Sequence, residues 1–413
     1  MSTPSSHAVG DLIGELEASV DAELDAVLAL LADLVAQESV EGSACIARCL
    51  DLLDGALAPL GGRARRLRFD TVENLLIEWG DPAARHRLLL TGHADVVPAD
   101  GAWATPPFSL VRRENMLVGR GVCDMKGALA AYVGALRVLD RLGALATAPV
   151  SLVVTGDEEV GSSRGMVPLL EQRLATGTWA VCGEPTGLDV FTGNRGVMWF
   201  RIRILGRGGH AGLAHTVVNP LPVAARVVAA LDELPMRARD DRFDPPTASL
   251  TVTAIMNEGE ATVNSVPDSV ALNVDRRLLP GETAEEAIDE IVTVVSGIVR
   301  PPFRWETIVD RVCPPYVADV DEPLVAVAQA AVRATGRRGA LGTDSAADDS
   351  SWLGKEGIAT VLCGPGAPEQ AHVTGETLSV AELRDAVAIY ARLCLSSLSV
   401  EADNHEPRGA AKE

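Results

Sequence analysis

The chain has 413 residues, of which 47% are hydrophobic, and its formal net charge is −21 at pH 7. This length exceeds the usual span of one domain, so we expect two domains with sizeable cores. The negative charge disfavours a broad basic surface, which argues against nucleic-acid and anionic-membrane partners. The sequence starts without a basic segment followed by an apolar run, and no stretch is apolar enough to cross a membrane. These features predict a cytoplasmic protein.

Helical and strand patterns alternate over the first half of the sequence. Apolar residues recur at helical spacing in the helical segments, and short apolar runs between turn residues predict buried strands. The predicted helices are 12–36, 44–58 and 126–142, and the predicted strands are 66–69, 74–79, 87–92, 151–156 and 178–182. This alternation indicates an α/β domain with a mixed, largely parallel sheet.

The pattern changes after Arg195. The next predicted elements are strand 197–205, helix 219–233, strands 248–255 and 269–278, helix 283–299 and strand 303–310. This β-α-β-β-α-β order is that of a ferredoxin-like unit. The α/β pattern then resumes with helix 322–335, strand 360–364 and helix 379–398. We therefore predict one domain built from residues 1–196 and 313–400, an inserted domain at 197–312 and a disordered tail at 401–413.

The seven cysteines are scattered and contain no CxxC pair. This distribution is typical of reduced residues buried in a core rather than of a disulfide framework. Cys123 and Cys182 nevertheless lie beside the motifs described next, so a thiol-dependent enzyme stays open as an alternative.

The segment TGHADVVP follows the predicted strand 87–92 and supplies His93 and Asp95. Residues two apart in an extended segment point the same way, so the Asp95 carboxylate can reach a ring nitrogen of His93. Such a contact fixes the tautomer of an imidazole that binds metal. A surface turn is the structural alternative for this pair.

Further acids lie at strand ends and in glycine-rich turns. GRGVCDMKG places Asp124 directly before a helix, where its carboxylate can bridge two ions or cap the helix N-terminus. TGDEEVGS places Glu158 and Glu159 after a buried strand, and successive side chains diverge there. One glutamate can therefore bind metal while the other moves a proton, although a solvated acidic turn would look the same. CGEPTG supplies Glu184, and GPGAPEQAH supplies His372.

Five of these residues form a set of two histidines and three carboxylates: His93, Asp124, Glu159, Glu184 and His372. Each lies at or after the end of a predicted strand, where open α/β sheets build their sites. Imidazole nitrogen and carboxylate oxygen suit two divalent ions that share one carboxylate and a water molecule. The residues therefore predict a centre for two metal ions.

The ordered motifs GHADVVP, GRGVCDMKG, GDEEVGS, GEPTG and GPG…QAH resemble the M20 metallohydrolase family. This family includes acetylornithine deacetylase, succinyl-diaminopimelate desuccinylase, aminoacylases and glutamate carboxypeptidases. The resemblance runs over nearly the whole chain. It implies that the α/β domain is a di-zinc hydrolase domain with a mixed sheet, and that the inserted ferredoxin-like domain is a lid and dimerisation domain.

The resemblance also implies a role for each residue of the centre. His93 and Glu184 would hold one zinc ion, Glu159 and His372 would hold the other, and Asp124 would bridge them through a cis peptide to Met125. Cobalt is a possible substitute for zinc. Asp95 would orient His93. Glu158 would be the general base, taking a proton from water and delivering it to the leaving amine.

The inserted domain has counterparts in the family too. GRGGHAGLAHTVVNP resembles the lid segment, in which a histidine donates to the oxyanion, and His210 matches that position. Asn264 in ATVNSVPD, Arg277 in VDRRLLPG and Arg195 in GNRG would contact substrate, because a guanidinium suits a carboxylate. The lid histidine often comes from a partner subunit, so the resemblance implies a homodimer.

Two departures leave the substrate open. Ala211 stands where the family usually has serine, and GTDSAADDSSWL carries extra acids whose roles the resemblance does not assign. A glutamate at position 184 resembles the deacylase and carboxypeptidase branches. We therefore predict hydrolysis of the acetyl or succinyl group from an N-acyl amino acid such as acetylornithine. A carboxypeptidase or dipeptidase acting on a short peptide, and a catalytically silent binding protein, remain alternatives.

Overall fold

The computed structural model describes residues 6–84, 86–259 and 262–405. The chain divides into two compact units. The first unit contains the residues before Asn194, Ala318–Gly342 and the residues from Trp352 onward, and the second contains Asn194–Val317 and Thr343–Ser351. The segment 343–351 thus groups with the second unit, whereas the sequence pattern assigned it to the first domain.

The secondary structure consists of nine α-helices and eighteen strands in the described residues. The helices are α1 (Ser6–Val35), α2 (Cys45–Leu57), α3 (Lys126–Arg141), α4 (Met166–Glu171), α5 (Leu221–Asp232), α6 (Ala284–Ile298), α7 (Pro323–Arg333), α8 (Ser350–Lys355) and α9 (Val380–His405). The first nine strands are β1 (Arg63–Phe69), β2 (Val72–Glu78), β3 (Leu88–His93), β4 (Val111–Arg113), β5 (Met116–Val118), β6 (Val150–Thr155), β7 (Trp179–Pro185), β8 (Val190–Asn194) and β9 (Gly196–Leu205). The others are β10 (Gly209–His210), β11 (Ser249–Asn257), β12 (Ser265–Val266), β13 (Ser269–Leu278), β14 (Arg304–Cys313), β15 (Tyr316–Val317), β16 (Leu341–Asp344), β17 (Ala359–Gly364) and β18 (Thr377–Ser379).

The central sheet of the first unit has the strand order β1-β2-β6-β3-β7-β17-β8. Its middle strands β6, β3, β7 and β17 run parallel, and β2 and β8 join them antiparallel. Every residue of β3, β6 and β7 is buried. Strands that are buried along their whole length are typical of a sheet covered on both faces.

Alternate residues of these strands belong to two separate cores. Leu88 and Leu90 of β3 pack in a large cluster with apolar residues of α1, α2, α3, α7 and α9, whereas Leu89 packs in a smaller cluster with residues of α4. This alternation follows from the two-residue period of a strand. Helices therefore cover both faces of the sheet, and the carboxyl ends of its parallel strands lie together at one edge, between the two helical layers.

Helix α9 extends further than the sequence pattern predicted. The expectation of a disordered tail from residue 401 is wrong for residues 401–405, which continue α9 to His405, and the rest of that tail lies outside the described residues. Residues 401–405 contain neither proline nor glycine, so nothing in that segment interrupts a helix.

A small three-stranded sheet was absent from the sequence-based expectation. Its order is β18-β5-β4, and each strand has only three residues. Thr377 of β18 lies opposite Val118 of β5. This pairing joins the loop that follows His372 to the loop that precedes α3.

The second unit has the predicted order β9-α5-β11-β13-α6-β14. The four strands form an antiparallel sheet in the order β11-β13-β9-β14. Apolar residues of α5 and α6, among them Val227 and Ile291, pack with Phe200 and Ile202 of β9. A mixed α/β fold with a ferredoxin-like unit inserted into it confirms the predicted fold class. Across the described residues, we find no helix that is both long and apolar enough to span a membrane.

Candidate active site

The predicted metal-binding residues of the first unit come together at the carboxyl ends of neighbouring strands. His93 ends β3, and Glu184 lies near the end of β7. Glu158 and Glu159 begin a short 3₁₀ turn directly after β6. His372 follows β17 by a loop, in a left-handed conformation with φ of 61°. Since β6, β3, β7 and β17 are adjacent, these side chains share one sheet edge.

Asp124 lies at the middle of this group. Its Oδ1 is 3.1 Å from Nε2 of His93, and its Oδ2 is 3.2 Å from Nε2 of His372. Each histidine also faces one glutamate: Nε2 of His93 is 3.5 Å from Oε1 of Glu184, and Nε2 of His372 is 3.1 Å from Oε2 of Glu159. The two oxygens of one aspartate are thus shared between two histidine–glutamate pairs. The peptide from Asp124 to Met125 is cis.

The chemistry of this group fits divalent metal ions. Possible ligand atoms of His93, Asp124 and Glu159 all lie within 4.8 Å of one another. Oε1 of Glu159 is buried and accepts no hydrogen bond among the described residues. Several carboxylates at such distances repel one another unless positive charge lies between them. Imidazole nitrogen and carboxylate oxygen are ligands that zinc and similar ions accept.

The carboxylates change the protonation of both histidines. Hydrogen bonds to Asp124 and Glu159 raise the pKa of His372 to about 10, although partial burial opposes the change. Burial would lower the pKa of His93, but hydrogen bonds to Asp124, Asp95 and Glu184 raise it well above its ordinary value. A raised pKa favours the protonated ring, and a protonated ring nitrogen cannot bind a metal ion. Metal binding at these histidines must therefore release protons.

Asp95 is fully buried and contacts both His93 and the turn after β6. Its backbone carbonyl lies 2.9 Å from Nδ1 of His93, whereas its carboxylate is 3.5 Å from that nitrogen. The carboxylate instead accepts the backbone N–H groups of Glu158 at 3.3 Å and Glu159 at 3.0 Å. The carbonyl is therefore the nearer acceptor for the ring, and the carboxylate fixes the backbone of the two glutamates.

Glu158 is buried beside the centre. Its carboxylate lies within 4.8 Å of possible ligand atoms of His93 and Glu184. Distance alone would therefore allow Glu158 to be a ligand as well as a base. An experiment that counts bound metal ions separates the two roles.

The other predicted residues lie in the second unit. His210 is exposed, and its Nδ1 accepts the backbone N–H of Gly212 at 3.0 Å. His210 is the last residue of β10, which pairs with β12, and Asn264 directly precedes β12. Arg277 donates to Asp275 at 2.9 Å. Their proposed contacts with substrate or oxyanion stay predictions.

Arg195, also predicted to bind substrate, is buried in the second unit. Its guanidinium donates to the backbone carbonyls of Thr247, at 2.7 Å, and Pro245. It also lies over the ring of Phe243 at 5.5 Å from the centroid. These contacts give Arg195 a structural role, and its contact with substrate stays a prediction.

The acidic segment that the resemblance left unassigned contributes to the interior of the second unit. Asp348 is buried and accepts from Nδ2 of Asn194 at 2.6 Å and from the backbone N–H of Ser350 at 2.7 Å. Burial raises the pKa of Asp348 to about 7, against the effect of these hydrogen bonds. Asp348 therefore joins the segment 343–351 to the start of the second unit.

The two cysteines near the centre have the environment of core residues. Cys123 and Cys182 are fully buried. Burial, with the negative charges of Glu376 and Asp124, raises the pKa of the Cys123 thiol far above its ordinary value. Because a nucleophilic cysteine needs a low pKa and access, this environment disfavours a thiol-dependent reaction at Cys123.

Sequence reasoning missed one buried acid next to the centre, Glu376. Its carboxylate accepts the backbone N–H groups of Cys123 and Asp124. The only signal in the sequence is a glutamate four residues after His372, and exposed loops contain many such glutamates.

Fold and centre together define an α/β protein with a site for divalent metal ions at the edge of a parallel sheet. The sequence matches the description "Peptidase family M20/M25/M40" over residues 89–396. The chain belongs to this family, which confirms the resemblance inferred from the motifs.

Two relatives and one solved structure illustrate the relationship. The chain is 29% identical to a succinyl-diaminopimelate desuccinylase of Phenylobacterium zucineum (strain HLK1), over 83% of this chain and 91% of the relative. It is 29% identical to an acetylornithine deacetylase of Myxococcus xanthus, over 88% of this chain and 95% of the relative. A metallo-carboxypeptidase of the M20 family from Sulfolobus solfataricus has a similar fold, with a TM-score of 0.77, 17% identity and coverage of 90% and 99%.

Proposed function

We propose that the protein is a metal-dependent amide hydrolase that removes an acetyl or succinyl group from the amino group of an amino acid. The observation that carries this proposal is Asp124, whose two oxygens face two separate histidine–glutamate pairs. The names of the desuccinylase and deacetylase relatives support succinyl or acetyl as the group that is removed. The likeness to a carboxypeptidase at 17% identity concerns the fold alone, so peptide cleavage is the weaker alternative.

The proposed cofactor is a pair of zinc ions, for which cobalt can substitute. His93 and Glu184 would hold one ion, Glu159 and His372 the other, and Asp124 both. The ions would supply Lewis acidity toward the amide carbonyl and would lower the pKa of a water molecule.

Glu158 is the proposed general base. Asp95 accepts the backbone N–H of Glu158, which holds the start of the 3₁₀ turn in place at the centre. A buried carboxylate in this position can take a proton from water and deliver it to the leaving amine. Asp95 would also keep the proton of His93 on Nδ1 through its carbonyl, which leaves Nε2 for the metal.

His210 is the proposed donor to the oxyanion. Because its Nδ1 accepts the N–H of Gly212, the neutral ring carries its proton on Nε2 and can donate it. Following the family resemblance, we propose a cytoplasmic homodimer in which a partner subunit supplies this histidine. Asn264, Arg277 and Arg195 are proposed to contact the amino-acid part of the substrate.

The test compares Glu158→Gln with the wild type on a panel of N-acetyl amino acids, N-succinyl amino acids and dipeptides. Loss of the base should lower kcat by about 10²–10⁴-fold, whereas binding of two cobalt ions per chain should persist. The control is Glu171→Gln, because Glu171 is an exposed glutamate of α4 in the same unit. Wild-type rates in Glu158→Gln would refute the assignment of the base, and loss of one cobalt ion would make Glu158 a ligand.

Two outcomes would favour the other readings. A metal-loaded wild type that hydrolyses none of these substrates would favour a silent binding protein. Inactivation by thiol alkylation, with activity retained in a chelator, would favour the thiol-dependent enzyme.

A further inference from the structure

Glu376 is fully buried and its carboxylate accepts four hydrogen bonds from one turn. Oε1 accepts from the backbone N–H of Cys123 at 2.7 Å and from that of Asp124 at 3.1 Å. Oε2 accepts from Nη1 of Arg120 at 2.8 Å and from the backbone N–H of Gly121 at 3.0 Å. Three backbone amides and one guanidinium of the segment 120–124 thus converge on a single side chain.

The small sheet sets the position of this carboxylate. Glu376 immediately precedes β18, which pairs with β5 so that Thr377 lies opposite Val118. The backbone N–H of Gly119 continues this pairing by donating to the carbonyl of Glu376 at 3.2 Å. Glu376 is therefore fixed beside the turn that leads from β5 to Asp124.

The hydrogen bonds of Glu376 argue against two simpler roles, a metal ligand and a plain ion-pair partner of Arg120. A metal ligand needs a lone pair directed at the ion, but both oxygens of Glu376 already accept two hydrogen bonds each. A buried ion pair with Arg120 would account for Oε2 only. Oε1 contacts the amide of Asp124 itself, and this contact fixes the backbone from which the shared carboxylate extends.

We propose that Glu376 is a positioning residue that holds Asp124 where its two oxygens can serve both histidine–glutamate pairs. The inference rests on the metal centre of the proposed function, although it does not depend on the substrate. Glu376 lies four residues after His372, so the same loop carries one proposed ligand and fixes the shared one. Outer hydrogen-bond partners of this kind orient metal ligands, and their loss weakens metal binding.

The test is a cobalt titration of metal-free Glu376→Gln, followed by visible absorption of the bound cobalt. Glutamine has the same shape, but its amide NH₂ must face one pair of N–H donors. We expect the affinity for at least one of the two ions to fall by about 10–100-fold, with an altered cobalt spectrum. Thermal unfolding of the metal-free variant reports separately on stability.

Arg120→Gln is the matched control. It removes the charge that pairs with Oε2 but leaves both hydrogen bonds of Oε1 to the turn. It should lose stability, yet keep the cobalt affinity and spectrum of the wild type. Wild-type cobalt binding in both Glu376→Gln and Glu376→Asp would overturn the proposal, because glutamine alone can still turn its oxygen toward the N–H of Asp124. An equal loss of affinity in Arg120→Gln would overturn it too.

A second variant covers the case in which Glu376→Gln does not fold. Glu376→Asp keeps the charge and withdraws the oxygens from the turn, so it should show the same loss of cobalt affinity, and unchanged affinity would overturn the proposal. A wild type that binds two cobalt ions but hydrolyses no N-acyl amino acid would refute the proposed function alone. Failure of the wild type to bind two ions would refute both.

Discussion

Replacement of Gly183 by alanine should destabilise the first unit and disturb its metal centre. Gly183 immediately precedes Glu184 in β7. A Cβ atom there would lie 2.7 Å from Cβ of Ala128, 2.8 Å from Cε of Met125 and 2.8 Å from Oη of Tyr132. All three distances are shorter than ordinary van der Waals contact, so α3 and β7 would have to separate.

The size of the effect depends on which neighbours can move. The thioether of Met125 is flexible, but Cβ of Ala128 is fixed on α3. The single O–H of Tyr132 lies within hydrogen-bond distance of the carbonyls of Thr91 and Val181, at 3.1 and 3.0 Å, which holds that ring in place. Overpacking of this kind costs about 1–3 kcal/mol. Because α3 begins two residues after Asp124, a shift of about 1 Å between Asp124 and Glu184 should lower kcat by roughly 10²-fold.

Urea unfolding of the metal-free protein measures the first effect, and steady-state kinetics of the metal-loaded protein measure the second. The control is Gly55→Ala, since Gly55 is an exposed residue inside α2 with no atom within 4 Å of an added Cβ. That control should gain about 0.5–1 kcal/mol, because alanine favours a helix interior. Equal stability of Gly183→Ala and the wild type would refute the close packing of α3 on β7.

Two further predictions concern metal binding. The pKa of His372 is raised to about 10, so its ring is protonated at neutral pH in the metal-free protein and must lose that proton to bind an ion. Cobalt affinity should therefore rise by up to about tenfold per pH unit from pH 7 until the pH approaches 10. Calorimetry in buffers of different ionisation enthalpy should show proton release at pH 7, and its absence would contradict the contact between His372 and Asp124. Asp95→Asn should weaken cobalt binding by about 10–100-fold, because one backbone N–H of Glu158 or Glu159 then faces an amide NH₂ instead of an oxygen. A cobalt titration that matches the wild type would contradict the role of the Asp95 carboxylate in fixing this turn.

The sequence predicted the parts of the fold whose apolar patterns are long enough to read. Strands β3, β6 and β7 contain mostly apolar residues, and the second unit repeats strand and helix periods clearly. The strands β4, β5 and β18 escaped prediction because three residues are too few to show a period. The last turn of α9 escaped because its polar residues lack an apolar period.

The clustering of side chains was predictable where they lie at strand ends, as for His93 and Glu184. It was not predictable where a side chain meets a distant backbone. Glu376 and Asp124 are 252 residues apart, and the contact between them involves an amide that every residue possesses. The two separate contacts of Asp95 likewise depend on the path of the turn after β6. Composition and spacing carry no information about such contacts.

The insertion of the second unit into the first determines when the first unit can fold during synthesis. Strand β7 leaves the ribosome long before its parallel partner β17, because the whole inserted unit lies between them in the chain. Tyr390 of α9, which contacts the ring of Tyr132 on α3, emerges later still. Until then the apolar residues of α1 and α3 that pack against α9 stay uncovered, and exposed apolar surface of this kind makes a nascent chain prone to aggregation. The inserted unit has a core of its own, whereas the set of proposed metal ligands is complete only after His372 has been synthesised.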